Sequence, residues 1–360
     1  MDNRFDVTII GTGIVGLAIA EELSKHYNNI LVVEKEGTFG QHVSSRNSEV
    51  IHSGFYYPPN SLKSKLCVKG NEMMYSFAKK YNINHRKCGK LIVANKKTDY
   101  LQLESIMTNA IECGLENISI LNKIEAQKKE PMVNCLKALW IPSTGIIDSH
   151  GVMSKLEYLS KDRGVFFAYK TNLNSMLKIG DFFELEFKNT KTKIISDIVI
   201  NSAGLWSDTV SEMLGIDNYK IEYYKGDYYK SRDVKNLNCL IYPIPKISSL
   251  GIHSVLSLNG EVSFGPNIYK VKKIDYKIDN KYKNQYIKEI KGLLTVDNIN
   301  IQEDFSGIRP KIKFDGKFND FVIKNEINKG YKNFINLIGI DSPGLTSSLA
   351  IAKYVKNLIL

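Results

Sequence analysis

The stretch TIIGTGIVGLAIAEEL, Thr8–Leu23, decides the fold. An apolar run rich in β-branched residues reads as a buried strand. It breaks at Gly11-Thr12-Gly13, and apolar spacing at helical period resumes from Ile14. The three glycines form GxGxxG between strand and helix, and each meets a different steric need. Gly11 permits a tight turn, Gly13 lets backbone approach a pyrophosphate, and Gly16 lets the helix pack against the strand. The helix N-terminus, with the N–H groups of Ile14 and Val15, offers a partial positive charge to phosphate. A second apolar strand, Ile30–Val33, ends at Glu34 and Lys35. Glu34 is suited to accept hydrogen bonds from an adenosine ribose, and it would repel a ribose 2′-phosphate. The motif predicts a dinucleotide site of α/β, Rossmann-like type and does not by itself choose between NAD and FAD.

Working outward, Ser61–Tyr81 reads as a helix, Lys90–Ala94 as a strand, the region after Tyr100 as helical and Pro142–Asp148 as a turn-rich connector. From Val165 to Asn201 the pattern is short strands, with turns at Gly180-Asp181 and Asn189-Thr190. Strand-like segments then dominate Tyr219–Phe264, as expected of an antiparallel sheet. Residues 271–299 are the most lysine-rich and least apolar, predicting a surface helix and loops. Asn333–Ile340 reads as a last buried strand and Leu345–Leu358 as a final helix. The expectation is a dinucleotide-binding domain in three pieces, 1–85, 146–210 and 325–360, interleaved with a substrate domain of antiparallel sheet plus helices, 86–145 and 211–324.

With 360 residues and 43% hydrophobic content the chain suits two globular domains. The formal charge of +11 comes almost entirely from scattered lysines. No long basic block is present, which argues against a nucleic-acid partner. Five cysteines without a CxxC pair fit neither a disulfide framework nor a zinc site, so no metal is expected. The first apolar run is too short for a membrane span and lacks a cleavage-like end. The expected location is cytoplasmic, with peripheral contact at the inner face of a membrane left open.

Longer motifs narrow the reading. SRNSEVIHSGFYYPPNSLKSKLCVKG (Ser45–Gly70) followed by CGKLIVA (Cys88–Ala94) closely resembles the L-2-hydroxyglutarate dehydrogenase/oxidase family, within the D-amino-acid oxidase superfamily of FAD enzymes. PSTGIID, NSAGLWSD, KGDYY, FGPN, GIRPK and GIDSPGLTSSLAIAKYV extend the resemblance to the C-terminus. It implies FAD as cofactor and oxidation of a 2-hydroxy acid, typically L-2-hydroxyglutarate, to the 2-oxo acid. The chain departs from the family in SRNSE, where many members have GHNSG, and in SVLSLNG (Ser254–Gly260), where they tend to show threonine and arginine. It resembles a side branch.

The resemblance and the chemistry together nominate site residues. Ser45, Arg46, Asn47 and Ser48 form the flavin loop. Ala203, Gly204 and Trp206 follow a buried strand and let backbone approach the diphosphate or ribitol. Val165 is expected near adenine. Gly307, Arg309, Pro343, Gly344, Leu345 and Thr346 complete the cofactor set, the last four at a helix N-terminus suited to negative charge on the reduced flavin. Arg309 is one of six arginines, and its planar fork suits a substrate carboxylate. Tyr57, Lys225 and Tyr228 are further substrate candidates.

Hydroxy-acid oxidation also needs a proton acceptor, and histidine is best matched to neutral pH. His26 and His85 sit among polar residues, and His42 and His150 are expected in loops. His253 is the preferred base and His52 is expected nearer the flavin, although each pattern also fits a hydrogen-bonded core histidine. A small carboxylate substrate and an electron acceptor, quinone or oxygen, are the expected partners. An amine or amino-acid oxidase of the same superfamily, and a flavin-binding protein without turnover, remain as alternatives.

Overall fold

A computed structural model describes residues 3–188, 190–245, 251–313 and 318–360; Asn189, expected in a turn, lies outside them. The chain divides into two compact units: residues 1–45, 149–223 and 309–360 in the first, and 46–148 and 224–308 in the second.

The first unit is built on five parallel strands in the order Phe166–Ala168, Ile30–Val33, Arg4–Ile10, Lys193–Asn201, Phe334–Ile338. Their registers follow the apolar runs, with Ile9 opposite Val32 and Ile200. Strands buried on both faces need no polar alternation, which is why ILVV and FINLI are wholly apolar or nearly so. An antiparallel hairpin, Leu173–Ile179 with Phe182–Phe187, continues the sheet from the N-terminal half of Lys193–Asn201.

Helix Ile14–Leu23 packs against the helices Ser149–Asp162 and Gly344–Ile359. Leu17, Ile19 and Leu23 are fully buried there, each contributing roughly 1.5–3 kcal/mol of apolar burial. His150, expected in a loop, lies in the first turn of Ser149–Asp162, because the apolar spacing of Val152, Met153 and Leu156 drives that segment helical.

The second unit holds three sheets. One is antiparallel in the order His253–Leu256, Glu261–Gly265, Ile221–Lys235, Tyr269–Val271, with Ile301–Ile312 also pairing to Ile221–Lys235. A second runs Leu240–Pro243, Lys90–Ala94, Lys137–Ile141, Ser119–Asn122. The third joins Val50–Ile51, Gly145–Ile147 and His85–Arg86. The connector Pro142–Asp148 therefore contains a short strand within its turns.

Helix Leu62–Lys80 begins where its N-cap allows, with Ser61 Oγ accepting from Ser64 N–H at 3.1 Å. The lysine-rich segment 271–299 is less superficial than its composition suggests. Helix Lys283–Leu293 buries Tyr286, Ile290 and Leu293 in the core of the second unit. Lysines occupy the opposite positions, so composition hides the apolar stripe.

The units differ from the expected domains at residues 46–85, and 211–223 and 309–324 fall in the first unit. Residues 46–85 belong with the second unit, where Val50–Ile51 is held by Gly145–Ile147 and Asn71 donates to the carbonyls of His52 and Ser143. Arg46, Asn47, Ser48 and Gly307 thus lie in the second unit, and Arg309 lies in the first.

Candidate active site

In the first unit, the end of strand Arg4–Ile10 turns through Gly11 at φ +103°, which disfavours an L side chain, and a Cβ there would fall 2.7 Å from Ser202 O. At Gly16 a Cβ would fall 2.0 Å from Gly11 O, so the close helix–strand packing expected of the third glycine is required. Gly13 caps the helix without a side-chain bond, while Ser44 Oγ accepts from Ile14 N–H at 3.0 Å. The N–H groups of Val15 and Gly16 have no acceptor within their own helix, as in any first turn.

Glu34 locks this turn. Its Oε2 accepts from the backbone N–H and hydroxyl of Thr12, at 2.9 and 2.8 Å, and Oε1 accepts from Glu36 N–H at 2.9 Å. A carboxylate has about four acceptor positions, so capacity for ribose hydroxyls remains. Lys35 places Nζ 2.9 Å from the centre of the Trp206 ring, and His42 meets the same ring edge-on at 4.7 Å. His42 Nε2 lies 3.0 Å from Glu36 Oε1. The pair holds the Glu36 carboxyl below its usual range, the His42 hydrogen bond being the chief cause, while burial lowers the Lys35 ammonium. Ser45 donates to Gly40 O. Val165 is buried in the turn before Phe166–Ala168, its N–H on Ser160 O at 3.1 Å.

The turn after Lys193–Asn201 is pinned by buried Asn201. Its Nδ2 donates to Ser207 O at 2.7 Å and Asn336 Oδ1 at 2.8 Å, and its Oδ1 accepts from Ala203 N–H at 3.3 Å. Beyond Gly204 Cα the space is open: a Cβ there would meet nothing within 4 Å. The last helix starts at Gly344 after Pro343 without a side-chain cap. Thr346 is buried in its first turn, and the buried hydroxyls of Ser347 and Ser348 have no hydrogen-bond partner. Arg309 is half-buried, with one terminal guanidinium nitrogen shielded from solvent and unpartnered. A shielded donor without an acceptor is costly, and an anionic group would relieve it. The last helix's start without a side-chain cap, the open space at Gly204 and these orphaned donors fit a bound dinucleotide with a carboxylate ligand.

In the second unit, His253 opens its strand, only 3% exposed, with its ring stacked on Tyr242 at 3.8 Å and 18°. Its Nδ1 lies 2.8 Å from Gly251 O. A carbonyl can only accept, so Nδ1 carries the hydrogen, and in the neutral ring Nε2 keeps the lone pair needed by a base. His52 is half-buried, and Cys67 Sγ and Asn71 Nδ2 donate to its carbonyl. Burial, and then the charges of Lys90 and His253, hold its imidazole well below the ordinary histidine value.

Arg46 lies over the Tyr276 ring at 4.0 Å and donates to Ser306 O at 3.4 Å. Gly307 passes so close that a Cβ would meet Arg46 O at 2.3 Å. Asn47 Oδ1 accepts from Glu49 N–H at 2.8 Å, and Ser48 is half-buried beside it in the chain. Arg46, Asn47 and Gly307 therefore help to brace the second unit's own loop and strand. Of the other substrate candidates, Lys225 is already engaged, donating to Lys277 O, and Tyr228 is stacked on Phe305 at 4.2 Å and 14°. Tyr57 is half-buried, its ring 5.8 Å from Lys63 Nζ.

Sequence reasoning did not single out Thr12, His42, Ser44, Tyr56, Lys90 or Tyr242.

Residues 6–358 match the family described as FAD dependent oxidoreductase (DAO). The chain belongs to that family. Its cofactor is therefore FAD, and the members most similar in sequence include L-2-hydroxyglutarate dehydrogenases. The mitochondrial enzyme of Arabidopsis thaliana is 35% identical, covering 99% of this chain and 84% of its own length. The L-2-hydroxyglutarate dehydrogenase of Indibacter alkaliphilus is 30% identical, covering 98% of each. Among solved structures, the FAD-bound L-alpha-glycerophosphate oxidase of Mycoplasma pneumoniae superposes with a TM-score of 0.88 at 26% identity, over 99% of this FAD dependent oxidoreductase and 94% of that chain. A glycine oxidase from Geobacillus kaustophilus shares the fold, with a TM-score of 0.83 at 19% identity over 99% and 94%. Among the described residues, no helix is long and apolar enough to cross a membrane.

Proposed function

We propose that this flavoenzyme oxidises L-2-hydroxyglutarate, or a closely related 2-hydroxy dicarboxylate, to the 2-oxo acid. The observation that carries the reading is the similarity to L-2-hydroxyglutarate dehydrogenases over nearly the whole chain. When bound, the flavin supplies an acceptor for the hydride leaving the substrate's C2. His253, with Nε2 as its lone-pair nitrogen and Nδ1 fixed by Gly251 O, takes the hydroxyl proton. Arg309 offers its unpartnered guanidinium nitrogen to a substrate carboxylate. The first-turn N–H groups of Leu345 and Thr346 favour negative charge on the cofactor by about 0.3–1 kcal/mol, while that of Gly344 donates to Asp341 O at 2.6 Å.

Incubation with L-2-hydroxyglutarate and an electron acceptor should yield 2-oxoglutarate and no amine. Release of ammonia from an amino acid, with no turnover of hydroxy acids, would replace this reading with the amino-acid oxidase one. Running the reaction with oxygen alone and with a soluble quinone assigns the acceptor. The name dehydrogenase shared by the relatives fits an acceptor other than oxygen, and a membrane quinone in that role would call for peripheral contact with a membrane.

Arg309→Lys tests the carboxylate role. Lysine keeps the charge but loses the fork, and a charged hydrogen bond is worth about 1.5–3 kcal/mol, so kcat/KM should fall on the order of 10- to 100-fold. The loss is expected in KM, with flavin content retained. An unchanged KM would assign Arg309 to structure.

A further inference from the structure

Lys90 is the least expected side chain in the second unit. It is fully buried, and its Nζ has no hydrogen-bond partner. Aromatic rings surround it: Nζ lies 3.9 Å from the centre of Tyr242, 5.3 Å from Tyr56 and 5.7 Å from Phe55. Tyr242 in turn stacks on His253, so one aromatic ring connects the lysine to the histidine read as the base. An ammonium kept from water, with ring faces beside it and no hydrogen-bond acceptor, is an expensive arrangement. Lys90 is also closed off from any ligand that solvent could carry to it, so it acts through its neighbours.

We propose that Lys90 is a positioning residue for proton transfer: its buried ammonium, caged by Phe55 and Tyr56 of the segment that carries His52 and by the Tyr242 ring stacked on His253, repels positive charge from the two histidines, so that the pair holds no proton before the substrate's hydroxyl proton arrives. The inference rests on the reading of His253 as the base, with His52 as its neighbour.

The surroundings allow this effect to operate. The groups favouring charge on Lys90 are the thiols of Cys67, on helix Leu62–Lys80, and Cys88, in the segment leading into its own strand. Tyr56 and Tyr242 also face it, and burial raises both phenols, which stay neutral. Burial pushes the lysine itself down to about 7. The ammonium is therefore present below about pH 7, the range in which a histidine would otherwise take a proton. Its charge disappears at higher pH, where an imidazole is neutral unaided.

The test uses the FAD-loaded protein and its Lys90→Met variant, close in shape and uncharged. Flavin reduction by L-2-hydroxyglutarate is followed anaerobically against pH. The wild-type rate should persist into mildly acid solution, and in Lys90→Met the acid limb should move up by about one pH unit or more, with little change at pH 8.5. Lys90→Arg, which keeps the charge, should retain the wild-type limb. A folded Lys90→Met with the wild-type profile overturns the proposal, as does Lys90→Arg shifting as Lys90→Met does.

A second measurement does not depend on the substrate. In protein labelled with ¹³C in its histidine rings, the His52 resonance, assigned by its absence in His52→Gln, should remain that of a neutral ring throughout mildly acid pH. In Lys90→Met it should titrate near the ordinary value of about 6.5. A wild-type His52 that titrates near that value overturns the proposal even if no Lys90 variant folds. A silent substrate with the predicted His52 behaviour counts against the function and leaves the lysine's role standing.

Discussion

His253→Gln is expected to slow flavin reduction at saturating substrate by about two orders of magnitude or more, within the 10²–10⁴-fold that general-base catalysis typically contributes. Glutamine approximates the bulk of the ring and supplies a donor for Gly251 O, but it has no basic nitrogen. FAD content should be unchanged, because His253 lies in the second unit and the nucleotide-binding glycines in the first. Binding of the 2-oxo acid should survive as well, since no proton is taken from it. That combination separates loss of the base from a collapsed pocket. His52→Gln is the comparison: a residue set against the flavin should change its spectrum or redox behaviour. If His52→Gln is the slow variant and His253→Gln is normal, the two roles exchange.

Gly13→Val is expected to yield a folded protein without FAD. Gly13 has φ −66° and ψ 168°, extended backbone open to any residue, so valine introduces no strain in the chain. What changes is the space. The Cβ would come 3.1 Å from Ser44 Oγ, the group capping Ile14 N–H, and the two methyl groups would project where the pyrophosphate must approach. Gly11→Val and Gly16→Val should instead destabilise the fold, because their Cβ atoms would collide with backbone carbonyls. Chromatography of the cofactor released on denaturation, alongside circular dichroism, distinguishes the outcomes. A folded Gly13→Val with full FAD content would remove the motif from the cofactor site.

The buried lysine also has a thermodynamic consequence. Its ammonium is disfavoured in the folded state, so between about pH 7 and the unfolded value near 10.5 the unfolded chain binds the extra proton. Stability should therefore rise with pH across that window, with a contribution of up to about 1.4 kcal/mol per pH unit from this one group. Denaturant unfolding at pH 7 and pH 9 should show Lys90→Met losing that part of the rise. An identical pH dependence in the two proteins would mean that Lys90 is not held in its uncharged form.

How far the sequence could be read followed from which interactions are local. The turn at Gly11–Gly16 and the acid at Glu34 were legible because strand, turn, helix and strand are consecutive, and each glycine meets a steric demand set within that unit or by the neighbouring Ser202 turn. The assignment of residues 46–85 was not legible, because Val50–Ile51 pairs with Gly145–Ile147, nearly a hundred positions away. Arg46 and Gly307, far apart in sequence, are packed against each other, a proximity that no local pattern announces. Lys225 looked available in KGDYY, yet its partner is the carbonyl of Lys277, which no local pattern announces. Lys90 was hidden for the opposite reason. A lysine at a strand's first residue is ordinarily a solvent-facing end, and only the parallel pairing of Lys90 with Leu240, bringing up Tyr242, encloses it.

The most direct test of the central claim is anaerobic mixing of the purified yellow protein with single candidate substrates while the oxidised flavin's visible absorbance is followed. L-2-hydroxyglutarate should bleach the flavin fully, forming one 2-oxoglutarate for each FAD reduced, and amino acids of similar size should leave it oxidised. Bleaching by an amino acid or amine alone, or a flavin that stays oxidised with every 2-hydroxy acid tried, would contradict it.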